Sequence, residues 1–139
     1  MNALSPLCLV VFSGRFEKVH YALAMASAAL ATNRPVTLFF TMQAARTLFA
    51  GTQGWTSLEG DGKRSAREID QDFGNRGVAR FEELLDACVE LGGQFMLCDM
   101  GIRALGLEEE PLREDVDITT GGLVTFLNEA GDLGQIVFI

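Results

Sequence analysis

Runs of consecutive apolar residues, rather than alternating ones, mark the strands of this chain. Leu7–Phe12 is one, ended by Ser13-Gly14; Val36–Phe40 is the second, Gln94–Cys98 the third and Gln135–Ile139 the last. A strand without polar alternation is buried on both faces, which is the pattern of a parallel sheet. Between these runs the period changes. Glu17–Thr32, rich in alanine and leucine, predicts a helix with a wide apolar face that stops at Asn33-Arg34-Pro35. Thr41 is placed to cap a short helix through Phe49. A further helix is expected from Val78 at the latest to about Leu91, with Phe81, Leu84, Leu85 and Cys88 along one face and Gly92-Gly93 ending it.

Beyond Cys98 the pattern shortens. Asp99–Leu107 reads as a brief helix, followed by an acidic turn carrying Glu108-Glu109-Glu110 and Glu114-Asp115. Asp115–Ile118 reads as a short edge strand, and Thr119-Thr120-Gly121-Gly122 as the opening of a helix to about Ala130. The order β-α-β-α-α-β-α-β-α-β predicts one α/β domain over residues 1–139, its mainly parallel sheet of about five strands covered on both faces. Gly51–Ala66 breaks the rhythm with four glycines and the sole tryptophan, Trp55. Such a stretch is either a lid, binding loop or oligomer contact, or else a mobile insertion.

Composition then narrows the function. A formal charge of −8 leaves no basic stripe for phosphates, so nucleic acid is not an expected partner. The longest apolar stretch, Val19–Ala31, is too short to span a bilayer, and no basic leader region precedes Leu7. Three cysteines without CxxC spacing point to reduced thiols and a cytoplasmic setting. His20, the single histidine, leaves no zinc set and is expected on the surface rather than paired with a cysteine. The dinucleotide glycine fingerprint and the phosphate-binding P-loop are both missing, so neither metal nor cofactor is expected.

The chemistry concentrates at Cys98. A thiol ending a buried strand sits on the rim where open α/β folds bind ligands, and the amides of the helix that follows favour its thiolate. Ser13, Gly14 and Arg15 follow the first strand onto that rim; Gly121 and Gly122 offer amides at a helix start, a place suited to an anion. Asp99 opposes a thiolate at Cys98, with Arg103 one turn on to offset it. Cys8 and Cys88 read as small buried hydrophobes.

These stretches resemble the DsrE/DsrF/DsrH-like family of small sulfur-relay proteins, closest to the subgroup associated with disulfide reductases and rhodaneses. The matching pieces are Leu9–Gly14, Val36–Thr41, Leu91–Met100, Leu105–Leu107 and Gly121–Leu127, in order across nearly the whole chain. The chain departs in Arg15, where that subgroup often has an acid, and in its glycine-rich loop, where the subgroup is usually basic and methionine-rich. The resemblance implies a three-layer α/β/α fold similar to flavodoxins and a homo-oligomer, commonly a trimer or larger, with a dimer also open. It further implies that Cys98 carries sulfur as a persulfide between a donor and an acceptor protein. The alternative is a non-catalytic oligomeric binding module for a small anionic ligand or partner protein, with the Trp55 loop as recognition element.

Overall fold

The computed structural model describes residues 4–139. Its elements run β1 (Leu7–Val11), α1 (Phe16–Ala31), β2 (Val36–Phe40), α2 (Ala66–Asn75), α3 (Phe81–Glu90), β3 (Gln94–Cys98), α4 (Asp99–Leu105), β4 (Ile118–Gly121), α5 (Leu123–Ala130) and β5 (Gln135–Phe138). Three 3-10 turns, Met42–Leu48, Gly51–Gln53 and Trp55–Ser57, link β2 to α2. The strands form one parallel sheet in the order β4-β3-β2-β1-β5. This is the expected α/β/α arrangement of flavodoxin-like type.

Chain direction explains how the layers fill. From β1 to β4 each strand is added on the same side of its predecessor, and β5 then returns to the far side of β1. Parallel crossovers are right-handed, so steps in one direction put their helices on one face and the reversed step uses the other. The larger core cluster accordingly joins Leu7, Leu9, Val11, Leu38, Phe40, Phe95 and Leu97 of the sheet to α1, α2 and α3, with Ile102 and Leu105 of α4 packed on it. The opposite face holds Cys8, Val10, Phe39, Met96 and Cys98 under Phe126 and Ala130 of α5 alone. There the Phe39 and Phe126 rings stack with centroids 4.7 Å apart. Burying a ring of that size contributes about 1.5–3 kcal/mol, so α5 is held by few but substantial contacts.

Four local expectations are revised. The Gly51–Ala66 stretch is built rather than structureless: Trp55 stacks on Phe81 at 4.8 Å, and its indole N–H donates to Glu82 Oε1 at 2.9 Å. The helix expected from Val78 at the latest is in fact two helices, the first resuming at Ala66. Ser65 and Glu68 form a reciprocal capping box that starts α2 at Ala66, a signal present in the sequence as Ser-x-x-Glu. The chain then breaks at Gly77, whose φ of +75° suits glycine, and restarts as α3 at Phe81. Thr41 does flank the turn after β2, but its hydroxyl makes no capping bond.

The last revision concerns β4, which lies three residues later than the edge strand expected at Asp115–Ile118. Pairing Phe95 with Ile118 brings the apolar residue into register with the core and leaves Asp115 and Asp117 exposed outside the ladder. Thr119, Thr120 and Gly121 are therefore strand, and α5 begins only at Leu123 with Gly122 before it.

Two polar clusters tie the outer elements to one another. Asp70 of α2, buried, accepts the Phe81 N–H at 2.7 Å and Arg80 Nε at 2.9 Å, so it caps α3 from a neighbouring helix. Arg113 donates to both oxygens of Glu82 at 2.8 and 2.7 Å and to both of Asp115 at 2.9 and 2.7 Å. Bonding to that guanidinium holds both carboxyls below their ordinary values.

Replacing Asp70 with Ala strands a buried N–H and is expected to destabilise the fold by about 1–3 kcal/mol in urea titrations, with Asn costing less because it keeps an acceptor. The Arg113 cluster sets a pH dependence. Its carboxyls are lowered on folding, so their contribution is full above the ordinary values of 4.5 for Glu82 and 3.8 for Asp115 and fades as pH falls through the folded values. The stability gap between the parent and Arg113→Ala, measured by denaturation across pH 7 to 2, is expected to close in that acid range.

Candidate functional site

The carboxyl ends of the five strands share one edge, and their connecting corners interlock there. Gly14, after β1, lies so near the corner after β2 that an added Cβ would come 2.5 Å from Gln43 Cβ. Gly101, in α4, would place one 2.6 Å from the Met42 N and 3.1 Å from Thr41 Oγ1. Met42 itself sits at φ +50°, a left-handed conformation that costs a non-glycine residue roughly 1–2 kcal/mol. Strain of this kind is retained where surrounding packing over-determines the backbone, and it collects at functional rims.

Cys98 stands at the end of β3 as the residue before α4, with φ −73° and ψ 119°, and it pairs in register with Gly121 of β4. The sequence places it correctly on the rim, but not its surroundings. Alternation along β3 sends Phe95 and Leu97 toward the α1–α4 layer and Met96 and Cys98 toward α5. The thiol therefore joins the smaller apolar cluster with Phe39, Met96 and Phe126, and Cys98 is only 1% exposed. Gly121 is its neighbour across the ladder. Gly122 precedes α5, and the Asp99 carboxylate comes within 3.8 Å of the place a Gly122 Cβ would occupy. An anion arriving at that helix end would meet a carboxylate.

Ser13, Gly14 and Arg15 form a separate group. Ser13 Oγ accepts the Arg15 N–H at 3.2 Å, and the chain beyond is zipped to Glu59, whose N–H donates to the Gly14 carbonyl at 2.8 Å. These residues line an open groove of about 830 Å³ with Phe12, Lys18 and Phe138. β1 and β3 are separated by β2, so roughly 10 Å of sheet lies between this group and Cys98. Glu17 and Glu59 also line the groove, so its two cations are matched by two acids.

The other titratable groups resolve into structural roles. His20 is buried, not on the surface: Nε2 lies 2.8 Å from the Ala79 carbonyl and the ring packs 4.8 Å from that of Phe73. Its place on the inner face of α1 is the reason. Burial pushes the Cys88 thiol up to about 12 and raises that of Cys8, in keeping with both as inert core residues. A cavity of about 780 Å³ beside Trp55, lined also by Glu82, Arg113 and Asp115, is a feature the sequence did not reveal. Trp55, Glu82 and the Arg113–Asp115 pair are 27 or more positions from one another, and only the uniqueness of Trp55 hinted at it. The oxygens of Glu82, Asp86 and Asp115 come within 4.8 Å of one another, but the Arg113 guanidinium already bonds Glu82 and Asp115 and supplies the cation there. No helix among the described residues is long and apolar enough to cross a membrane.

Comparison with known proteins completes the picture. The sequence profile of the DsrE/DsrF-like family matches residues 8–136. No curated protein matches at a significant level. Among solved structures the chain is similar to the ychN protein of Escherichia coli, with a TM-score of 0.62 and 14% identity over 98% of this chain and all of that one. It is also similar to MTH1491, a protein of unknown function from Methanobacterium thermoautotrophicum, with a TM-score of 0.63 and 11% identity over 97% and 99% of the two chains. At such identities the likeness speaks to fold.

The close approach at Gly101 has a measurable consequence. Gly101→Ala drives a methyl into backbone that is already in a left-handed conformation, and a loss of about 1–3 kcal/mol is expected in urea unfolding. Alanine at the exposed Ala104 position of the same helix is the native residue, so Ala104→Ser serves as a control expected to change stability by less than about 0.5 kcal/mol.

Proposed function

Because this chain belongs to the DsrE/DsrF-like family, we propose that it is a sulfur carrier in which Cys98 holds sulfane sulfur as a persulfide. The observation that carries this reading is the position of Cys98, the one cysteine on the carboxyl rim of the sheet, between the start of α4 and Gly121. In the first step the Cys98 thiolate attacks the outer sulfur of a donor persulfide. A new bond forms between Sγ and that sulfur, the donor S–S bond breaks, and the donor leaves as a thiolate. An acceptor thiolate then attacks the same outer sulfur and releases Cys98. No external oxidant or reductant is consumed.

Two features support the setting. Cys8, Cys88 and Cys98 are all free, which suits a reducing cytoplasm. Gly121 and Gly122 present no side chain beside the sulfur, so small movements of that segment admit a donor where a larger residue would obstruct. Such movement is required, since the thiol is buried at rest. The carrier acts as a homo-oligomer that exchanges sulfur with donor and acceptor proteins.

The burial of Cys98 also favours a second reading, an oligomeric binding module for a small ligand or partner protein without transfer. Intact-mass measurement decides between them. The reduced protein, incubated with inorganic polysulfide, is expected to gain the mass of one sulfur in the parent, Cys8→Ser and Cys88→Ser, and not in Cys98→Ser. Equal gain by Cys98→Ser, or no gain by any form, overturns the carrier.

A further inference from the structure

We propose that α5 is a hinged lid over Cys98, latched by the seating of Phe126 on the sheet, and that its opening admits the sulfur donor. What the opening serves rests on the carrier reading above, whereas the opening itself is measurable without sulfur.

Phe126 is what closes over the thiol. The cluster beneath α5 gathers Cys8, Val10, Phe39, Met96 and Cys98 from the sheet, and the side chains laid over them are Phe126 and Ala130. Helix α5 leads from the carboxyl end of β4 back toward the start of β5, so Ala130 lies one turn further from the rim than Phe126. The Phe126 ring, stacked on Phe39 at 4.7 Å, is therefore the cover nearest the rim, and Cys98 below that layer is 1% exposed. Entry from the corner after β2 is blocked, since Gly101 of α4 already presses on Thr41 and Met42 there.

The latch is nearly all that holds the helix. Six of its eight residues are exposed, whereas α1 buries seven side chains. Among the described residues, no hydrogen bond or ion pair joins Leu123–Ala130 to another element of the fold; the bonds at its ends, from Phe126 to Gly122 and from Gly131 and Gly134 back to Leu127 and Ala130, are local. An eight-residue helix without a capping side chain has little stability of its own. Glycines bound it on both sides. Gly122 stands extended before it, and Gly131 after it has φ +62° and ψ −166°, a backbone that essentially only glycine adopts. The segment can thus swing or melt between two pivots while β4 and β5 stay paired. Segments held by so few buried side chains open far more often than the whole chain unfolds.

Lifting α5 leaves the other face untouched. Cys88 lies there between α3 and α1, its thiol donating to the Leu23 carbonyl at 3.4 Å, and it serves as an internal reference.

Native-state labelling with iodoacetamide, read at each cysteine by peptide mass at urea concentrations below the unfolding transition, tests the lid. Cys98 is expected to label at least about a hundredfold faster than Cys88 and almost independently of urea, because lifting one helix exposes little surface, while Cys88 labelling climbs steeply. Phe126→Ala is expected to speed Cys98 at least about tenfold. If that variant unfolds the whole chain, Phe126→Leu is the milder form, expected to speed Cys98 about threefold or more. Asp70→Ala, which loosens the far layer, is expected to speed Cys88 and leave Cys98 within about twofold of the parent. Labelling of Cys98 that follows the steep urea dependence of Cys88 overturns the lid, as does a Cys98 rate that neither Phe126 variant changes. Intact-mass measurement after inorganic polysulfide treatment keeps the two readings apart. A lid that opens over a thiol taking up no sulfur leaves the lid and removes the carrier; sulfur uptake at a Cys98 whose labelling tracks that of Cys88 does the reverse.

Discussion

A parallel sheet cannot leave either face to water, and the unequal covering of its two faces governs everything else in this protein. One face carries four helices and most of the buried side chains. The other carries an eight-residue helix anchored chiefly by Phe126 on Phe39. The imbalance follows from a single reversal of chain direction after β4, since right-handed crossovers send only that last connection to the far side. The apolar residues of β5 and the outer side of α5 are what a lone short helix leaves uncovered.

The same imbalance decides the surroundings of Cys98. Its strand parity sends the thiol to the thin side, beneath α5, among aromatic and thioether neighbours. The rim above is tightly built: Gly14 and Gly101 allow the corners after the first three strands to press on one another, and Met42 bears backbone strain where they meet. On the other side of the sulfur, the Gly121–Gly122 corner after β4 leads into the thinly held α5. Burial at rest shields the thiol from adventitious oxidation.

On the thick side the outer elements are fastened by polar contacts rather than bulk. Asp70 caps α3 across the break at Gly77, and Arg113 joins α3 to the segment before β4 while Glu82 also receives the Trp55 indole. Trp55 is consequently a structural pin, its ring stacked on Phe81, and the loop that bears it is a built part of the core. Of the three acids gathered there, Glu82 and Asp115 share the one Arg113 guanidinium.

The amino-acid sequence by itself determined four of the five strands, the parallel sheet and the family, because continuous apolar runs such as Leu7–Val11 and Phe95–Cys98 encode burial on both faces within a few residues. It also held the start of α2 in Ser65 and Glu68, a local hydrogen-bonding signal. What it did not hold is pairwise and long-range. The strand register that makes Thr119–Gly121 part of β4, the burial of His20 against Phe73, the separation of Arg15 from Cys98 and the sealing of that thiol by Phe126 all depend on which elements become neighbours. Neighbours are chosen by crossover handedness and by the one reversal in strand order, which are properties of the assembled chain and leave no mark on any short stretch of it.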